Sequence, residues 1–427
     1  MGGRNLFYHS INLTTTPVIA PRSVVVLAAR QDSFSLFDTP APGADSAVSS
    51  MVVVLAIAEM LHRDPAIRAS IAAAKKRSLM LALFDGEAFD YIGSGETAYR
   101  MLQRQFTMAK PRTDGLLLSK YATLQLNHIS HFIELNQLLQ YGGNSTRPHR
   151  LFLHKNVRAG STPEIRNLLA RILMEAAELP GLKVSEVDEG RPLPPSSAQS
   201  FLRAAQKDNS SSSNNSLNVL VVTNHRDRYL NRYYNSYLED GAGGGGNDDL
   251  VSTELLAQRL TSIATLFGRV LYQLVTEVSL RSLHNTPKTL VANQSTVRQL
   301  LNCYLNDSNC ELFRAAVRMK EPQISKFASF VYLFLKTVSI SIPSSDGSLP
   351  PLSTYVSVID GRNELRHLTL QVLRRFTGEK MATASNATEC RQLKEGNVQD
   401  VQVGSCGKLV NLLLTFTFPV LLPVDHR

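Results

Sequence analysis

Three short segments of this sequence concentrate side chains that could do chemistry: Arg30-Gln31-Asp32-Ser33, Pro42-Gly43-Ala44-Asp45-Ser46 and Phe84-Asp85-Gly86-Glu87-Ala88-Phe89-Asp90-Tyr91-Ile92-Gly93-Ser94. Carboxylates grouped in this way supply metal ligands or a general base for activating water. Other chemistries have less support. Ser33, Ser46 and Ser94 lack the G-x-S-x-G elbow of a serine hydrolase. His128, His131, His149, His154 and His225 match no HExxH spacing, and no CxxC pair occurs. The glycine run at 241–246 is not followed by the Lys-Ser/Thr of a phosphate loop.

The elements that must position these segments are legible from hydrophobic pattern. Residues 23–29 (SVVVLAA) and 78–84 (SLMLALF) read as buried strands, and 46–61 between them as a helix. Strand, helix, strand in this order predicts a parallel pair joined by a right-handed crossover. Further strands are expected at 130–135, 151–154 and 217–223. Helices are expected at 163–177 and at 250–278, the latter broken near Gly268. Residues 208–216 and 241–249 read as surface loops. Helical spacing resumes over 296–317 and 325–340, and 341–395 is mixed and turn-rich. The expected fold is an α/β sandwich with a mixed, largely parallel sheet flanked by helices, plus a helix-rich C-terminal extension. Ligands of open α/β sheets bind beyond the carboxyl ends of the strands, where all three segments fall.

The 427 residues are 43% hydrophobic and 19% charged, enough apolar mass for a sizeable core. The net charge of +9 comes in short clusters such as Lys75-Lys76-Arg77, without the aromatic interleaving of a nucleic-acid surface. The apolar end, 409–423, carries Asn411, Pro419 and Pro423 and falls short of the ~20 residues that span a bilayer. N-x-S/T sequons at Asn12, Asn144, Asn209, Asn214, Asn293, Asn306 and Asn386, with four cysteines, favour a lumenal or extracellular chain. Cys303 and Cys310 are compatible with a local disulfide or with a reduced pair. No signal peptide follows Met1, so a truncated chain is expected.

The three segments resemble, in order, the motifs of co-catalytic zinc aminopeptidases: His-x-Asp, Gly-x-Asp-Asp and Asp-x-Glu-Glu-x-Gly-x-x-Gly-Ser. The resemblance is incomplete. It puts Arg30 at the first histidine ligand, Asp32 at its supporting aspartate, Asp45 at the bridging carboxylate and Glu87 at the general base. Ala88 stands at the next ligand, Asn136 at a later aspartate and Asn235 at the last histidine. A guanidinium keeps its proton and repels a metal ion. Arg30 is therefore expected to stand where zinc charge would, paired with Asp45 or Glu87.

Within that scaffold the metal-poor pattern resembles the nicastrin family. Residues 84–94 (FDGEAFDYIGS) carry most of the likeness. Ala41 to Val48, Pro192 to Ser197, Phe201 to Ala204, Tyr233 to Ser236, Leu266 to Tyr272 and Thr296 to Leu301 add to it, over roughly residues 20–380. The resemblance implies a peptidase-like domain at 20–285 after a lead-in at 1–19, a helical and mixed extension at 286–385, and a divergent tail at 386–427. Cys390 and Cys406 would be a remnant disulfide.

It further implies a non-catalytic γ-secretase subunit without cofactor, on the lumenal or extracellular side of membranes. Its partners would be presenilin and two smaller membrane subunits, its substrates type I membrane proteins, and its setting the Notch signalling pathway. The substrate-binding candidates are Glu87, Tyr91, Arg30 and Asp45. Glu87 would recognise a substrate amine or serve as a structural partner of Arg30, with steric gating as the competing account. Tyr91 and Ile92 pack or touch substrate, and Asp85 and Asp90 are expected as turn or cap residues. The alternative is a divergent zinc aminopeptidase using non-aligned ligands.

Overall fold

The computed structural model describes residues 4–10, 19–34, 41–109, 121–139, 148–156, 162–188, 190–208, 217–239, 253–318, 348–354, 356, 363–380, 407–408 and 412–413. The expected loops at 209–216 and 241–249, the helix at 325–340, Cys390, Cys406 and most of 409–423 lie outside them.

Eight strands form the main sheet: β1 (Leu6–His9), β2 (Val24–Arg30), β3 (Ser78–Phe84), β4 (Ile129–Leu135), β5 (His149–Lys155), β6 (Leu182–Glu186), β7 (Asn218–Thr223) and β8 (Leu412–Leu413). Their order is β8-β1-β3-β2-β4-β7-β5-β6. The centre, β3-β2-β4-β7, is parallel. β1 joins β3 antiparallel, and β5 joins β7 antiparallel. The sheet thus reaches into the expected lead-in and tail, β1 pairing the outer edge of β3 and β8 that of β1, so that these backbone groups are satisfied.

Side chains alternate between two apolar layers. Val25, Leu27, Ala29, Leu81 and Ile133 face one, built with α1 (Ser49–Arg63), α4 (Pro163–Ala177), α6 (Thr253–Val275), α7 (Gln294–Leu305), α8 (Glu311–Arg318) and α9 (Glu364–Thr377). Val24, Val26, Ala28, Phe84 and Phe132 face the other, under α3 (Ile92–Leu102) and α5 (Ala198–Lys207). The C-terminal helices are part of the first layer and share its core. A disulfide between Cys303 and Cys310, with Cα atoms 5.3 Å apart, ties α7 to α8.

The segment Ala44–Arg63 is long and apolar enough to cross a membrane, but 94% of its apolar window is buried inside the fold. It opens as a π-helical turn, Ala44–Val48, and continues as the central core helix α1. Here Gly268 does not break α6, which runs unbroken through it. A Cβ there would stand 1.7 Å from Met60 Cε, so the glycine permits α6 to cross α1 at close range.

Gly268→Ala is therefore expected to cost about 1–3 kcal/mol by overpacking. Combining it with Met60→Ala should cost less than the sum of the single changes, since the methionine tip is what the new methyl meets. Urea unfolding of the four proteins checks this; simple additivity would count against the close crossing.

Candidate functional site

The carboxyl ends of β2, β3, β4 and β7 converge on one polar site. Arg30 closes β2 and is 5% exposed. Its Nε donates to the Asp32 carbonyl (2.8 Å), Nη1 to the Tyr234 hydroxyl (2.7 Å) and Nη2 to Asn235 Oδ1 (3.3 Å). The guanidinium carbon also lies 5.7 Å from the centre of the Tyr234 ring. Burial disfavours the cation, but Tyr234, Asp32 and Glu239 outweigh it and hold its pKa above the ordinary value.

The expected pairing of Arg30 with Asp45 or Glu87 is not what the fold makes. The carboxylates that hold its charge are Asp32 and Glu239. Asp32 is itself committed, with Oδ1 accepting from the Glu87 amide and Oδ2 from the Ala88 amide, each at 2.9 Å. Burial raises its pKa against the opposing charge of Arg30.

Glu87 is 3% exposed. Its Oε1 accepts from the Ser94 amide (2.8 Å), and Oε2 from the hydroxyls of Ser94 (2.8 Å) and Ser197 (2.5 Å). Burial pushes it up to about 8, against the pull of the Ser197 bond. Glu134, from β4, accepts from the amides of Ser197 (3.0 Å) and Ala198 (2.8 Å) at the start of α5. Burial lifts it to about 7. Ser197 therefore bridges two carboxyls, one through its side chain and one through its backbone.

Asp45 is fully buried in the π-turn that opens α1. Its Oδ1 accepts from the Leu139 amide (2.7 Å) and its Oδ2 from Asn224 Nδ2 (3.0 Å). Glu239 takes the amides of Asp45 (2.9 Å), Ser46 (2.5 Å) and Asn235 (3.0 Å), so it anchors the same turn. Gly43 enters that turn at φ 61°, and a Cβ there would meet Ser33 Cβ at 2.5 Å.

Tyr91 caps α3 at φ 59° and is half-buried. Its hydroxyl is held neutral by burial and by the neighbouring Tyr234 and Glu134. Asp90 is exposed at φ 55°, as a turn residue should be. Asp85 differs from that expectation, being buried in an ion pair with Arg366 (3.1 Å). Burial raises it to about 7.

The structure brings Arg30 and Asn235 together from 205 residues apart, as the two motif ends require. Asn136 lies buried with Nδ2 donating to the Pro195 carbonyl (3.1 Å). The five histidines do not gather. His154 and His225 are neighbours at 6.3 Å between ring centres, whereas His131 and His149 are separately buried. Among the described residues no group of three His, Cys, Asp or Glu side chains is arranged to hold a metal. A metal would have to displace amide and hydroxyl donors from carboxylates and sit beside a guanidinium, so the donor set does not fit the co-catalytic zinc pair. Tyr234, Ser197, Glu134, Glu239 and Asn224 were not singled out as site residues. Ser197, Tyr234 and Glu134 lie inside motif stretches and so carry some sequence signal; Glu239 and Asn224 carry none.

A family model described as nicastrin large lobe matches residues 23–272. Human nicastrin is 30% identical over 319 residues, covering 72% of this chain and 39% of that protein. Arabidopsis thaliana nicastrin is 23% identical, covering 66% of this chain and 36% of its own length. The chain thus spans less than two fifths of these relatives. The crystal structure of the gamma-secretase component nicastrin superposes with a TM-score of 0.57 at 16% identity, covering 96% of this chain and 62% of that one. A zinc aminopeptidase from Bacillus subtilis matches at a TM-score of 0.38 and 14% identity, over 67% of this chain and 53% of its own.

The two buried glutamates also set a pH dependence. Their ordinary value is 4.5, so the folded state keeps protons that the unfolded chain releases. The stability they contribute is complete below 4.5 and is lost as pH rises through about 7 for Glu134 and about 8 for Glu87. The buried histidines, held below their ordinary 6.5, add stability as pH rises toward that value, so the glutamates dominate only above it and the urea midpoint should fall between about pH 7 and 8.5. Glu87→Gln, which imitates the neutral acid, should flatten the fall. A wild-type midpoint that rises with pH across this window would contradict the assignment.

Proposed function

The chain belongs to the nicastrin family, and on that premise we propose that it is a non-catalytic, peptidase-like ectodomain of a γ-secretase subunit. In this reading it governs which type I membrane proteins reach the protease and supports assembly with presenilin and two smaller membrane subunits, as in Notch signalling. The observation that carries the reading is Arg30. A buried guanidinium occupies the motif position of a metal ligand, and its hydrogen bonds to Tyr234 and Asn235 close the site on itself. Water activation at neutral pH needs a Lewis acid or an accessible base. The aligned general-base position holds Glu87, a buried carboxyl that is largely neutral at pH 7 and already engaged by two serines.

The same facts favour steric gating over direct amine recognition. A neutral, enclosed carboxyl offers no free negative charge to an ammonium group. Glu87, Arg30 and Asp45 would shape the floor from within, and the half-exposed Tyr91 would meet the passing chain. A lumenal or extracellular setting agrees with the Cys303–Cys310 disulfide. Asn293 and Asn306 are exposed and suited to carry glycans; Asn12, Asn144, Asn209, Asn214 and Asn386 lie outside the described residues.

Two measurements test the reading. After equilibration with zinc, the chain should retain less than about half an ion per molecule, whereas two-metal hydrolysis requires one or two. Bound zinc near stoichiometry together with aminopeptidase turnover would instead favour the divergent enzyme. In a reconstituted complex containing the full-length subunit, Glu87→Gln should leave cleavage of a short-ectodomain substrate within about 2-fold, well under 1 kcal/mol. A loss of about 10-fold with unchanged folding would restore direct recognition.

A further inference from the structure

The loop that carries Glu87 and Tyr91 is gripped at both ends by distant parts of the chain. At its start, the Asp85 amide donates to Asn5 Oδ1 (2.8 Å). The Asp85 carboxylate accepts from the Arg4 amide (2.8 Å) and from Arg366 Nη1 (3.1 Å). At its far end, the Gly93 carbonyl accepts from Asn5 Nδ2 (2.9 Å). The two ends are in contact, because a Cβ on Gly93 would stand 2.2 Å from the Asp85 carbonyl oxygen. Asn5 thus spans the mouth of the loop through neutral hydrogen bonds, while Arg366 supplies the charge.

The position of Arg366 gives this contact its reach. It lies in the first turn of α9, a helix of the first apolar layer that packs on α1. The loop leads into α3, which belongs to the opposite layer. The Arg366 side chain therefore joins the two layers around the carboxyl edge of the sheet, across 281 residues of sequence. Both partners are withdrawn from water, with side chains 8% and 2% exposed. Losing Asp85 would leave a buried guanidinium that cannot shed its proton, so the pair holds α9 to the loop. The pair also borders a water-sized cavity lined by Gln31, Thr354, Asn363 and Thr369.

We infer that Arg366 is a positioning residue for the loop from Asp85 to Gly93: its ion pair couples the placement of α9 to the placement of Glu87 and Tyr91. The coupling is a property of the fold. Only its meaning for substrates rests on the proposed function. It makes the C-terminal helical region a lever on the gate, so that whatever moves α9 moves the loop.

Site-resolved amide hydrogen exchange on the full chain tests this in three variants: Arg366→Gln, Arg366→Lys, and Asp85→Asn with Arg366→Gln. In Arg366→Gln the amides of Glu87, Ala88 and Ser94 should exchange about 10-fold faster or more, while those of β2 and β4 stay within about 2-fold. Arg366→Lys should restore part of the protection. The double variant leaves no orphaned charge, so it keeps the fold even if the single variant does not, and its loop should still be loose. Full loop protection in the double variant would overturn the inference, because Arg366 would then only be balancing Asp85. Equal acceleration in the loop and the strands would overturn it as well. If the loop loosens while complexes carrying Arg366→Gln cleave substrate at the unaltered rate, the coupling stands and the gating role falls.

Discussion

Arg30 sits at the end of the central strand with its cation enclosed, and an enclosed cation must be satisfied from all sides or the fold loses several kcal/mol. The surroundings of β2 follow from that demand. The Asp32 carbonyl and the Tyr234 and Asn235 side chains accept from the guanidinium, and the charges of Asp32 and Glu239 offset the cation. To bring Tyr234 and Asn235 to it, the chain after β7 folds back over the site, with Asn235 in a left-handed turn at φ 54°. Glu239 fastens that return to the opening turn of α1. One buried charge thus links the central strand, the loop after β7 and the core helix.

The carboxylates are reassigned in consequence. In a metal site such groups would turn their oxygens toward an ion. Here they accept from the protein's own backbone. Asp32 holds the amides of Glu87 and Ala88, Glu134 holds those at the start of α5, and Glu239 holds those at the start of α1. Carboxylates at helix N-termini satisfy amides that have no partner within the helix and meet the positive end of its dipole. The acidic groups of this site thus serve as internal fasteners. The sheet and its two layers depend instead on apolar burial, which the site does not supply.

The pattern of the sequence was enough for β2, β3, β4, β5, β7 and α4, whose apolar runs or helical spacing are strong and local. It also carried the family resemblance, since 84–94 and the ordered motifs around it are specific. Less legible were β6, whose pattern is half-exposed, and β1 and β8, which form by pairing, β1 on the edge of β3 and β8 on the edge of β1. Gly268 read as a break because glycine weakens an isolated helix; its reason is Met60 on another helix.

The sequence by itself determined that this is an α/β chain of the nicastrin type, with Arg30 and Ala88 where metal ligands would be expected. Those are statements about residue type and order, which local patterning records. Only the tertiary structure decided what Arg30 pairs with, that Glu87 is enclosed and raised to about 8, and that Asp85 is tied to Arg366. Each of these depends on groups 55 to 281 residues apart being brought within hydrogen-bond distance and out of water. Charge state and partner choice inside a protein are set by that desolvation, and no local stretch of sequence contains it.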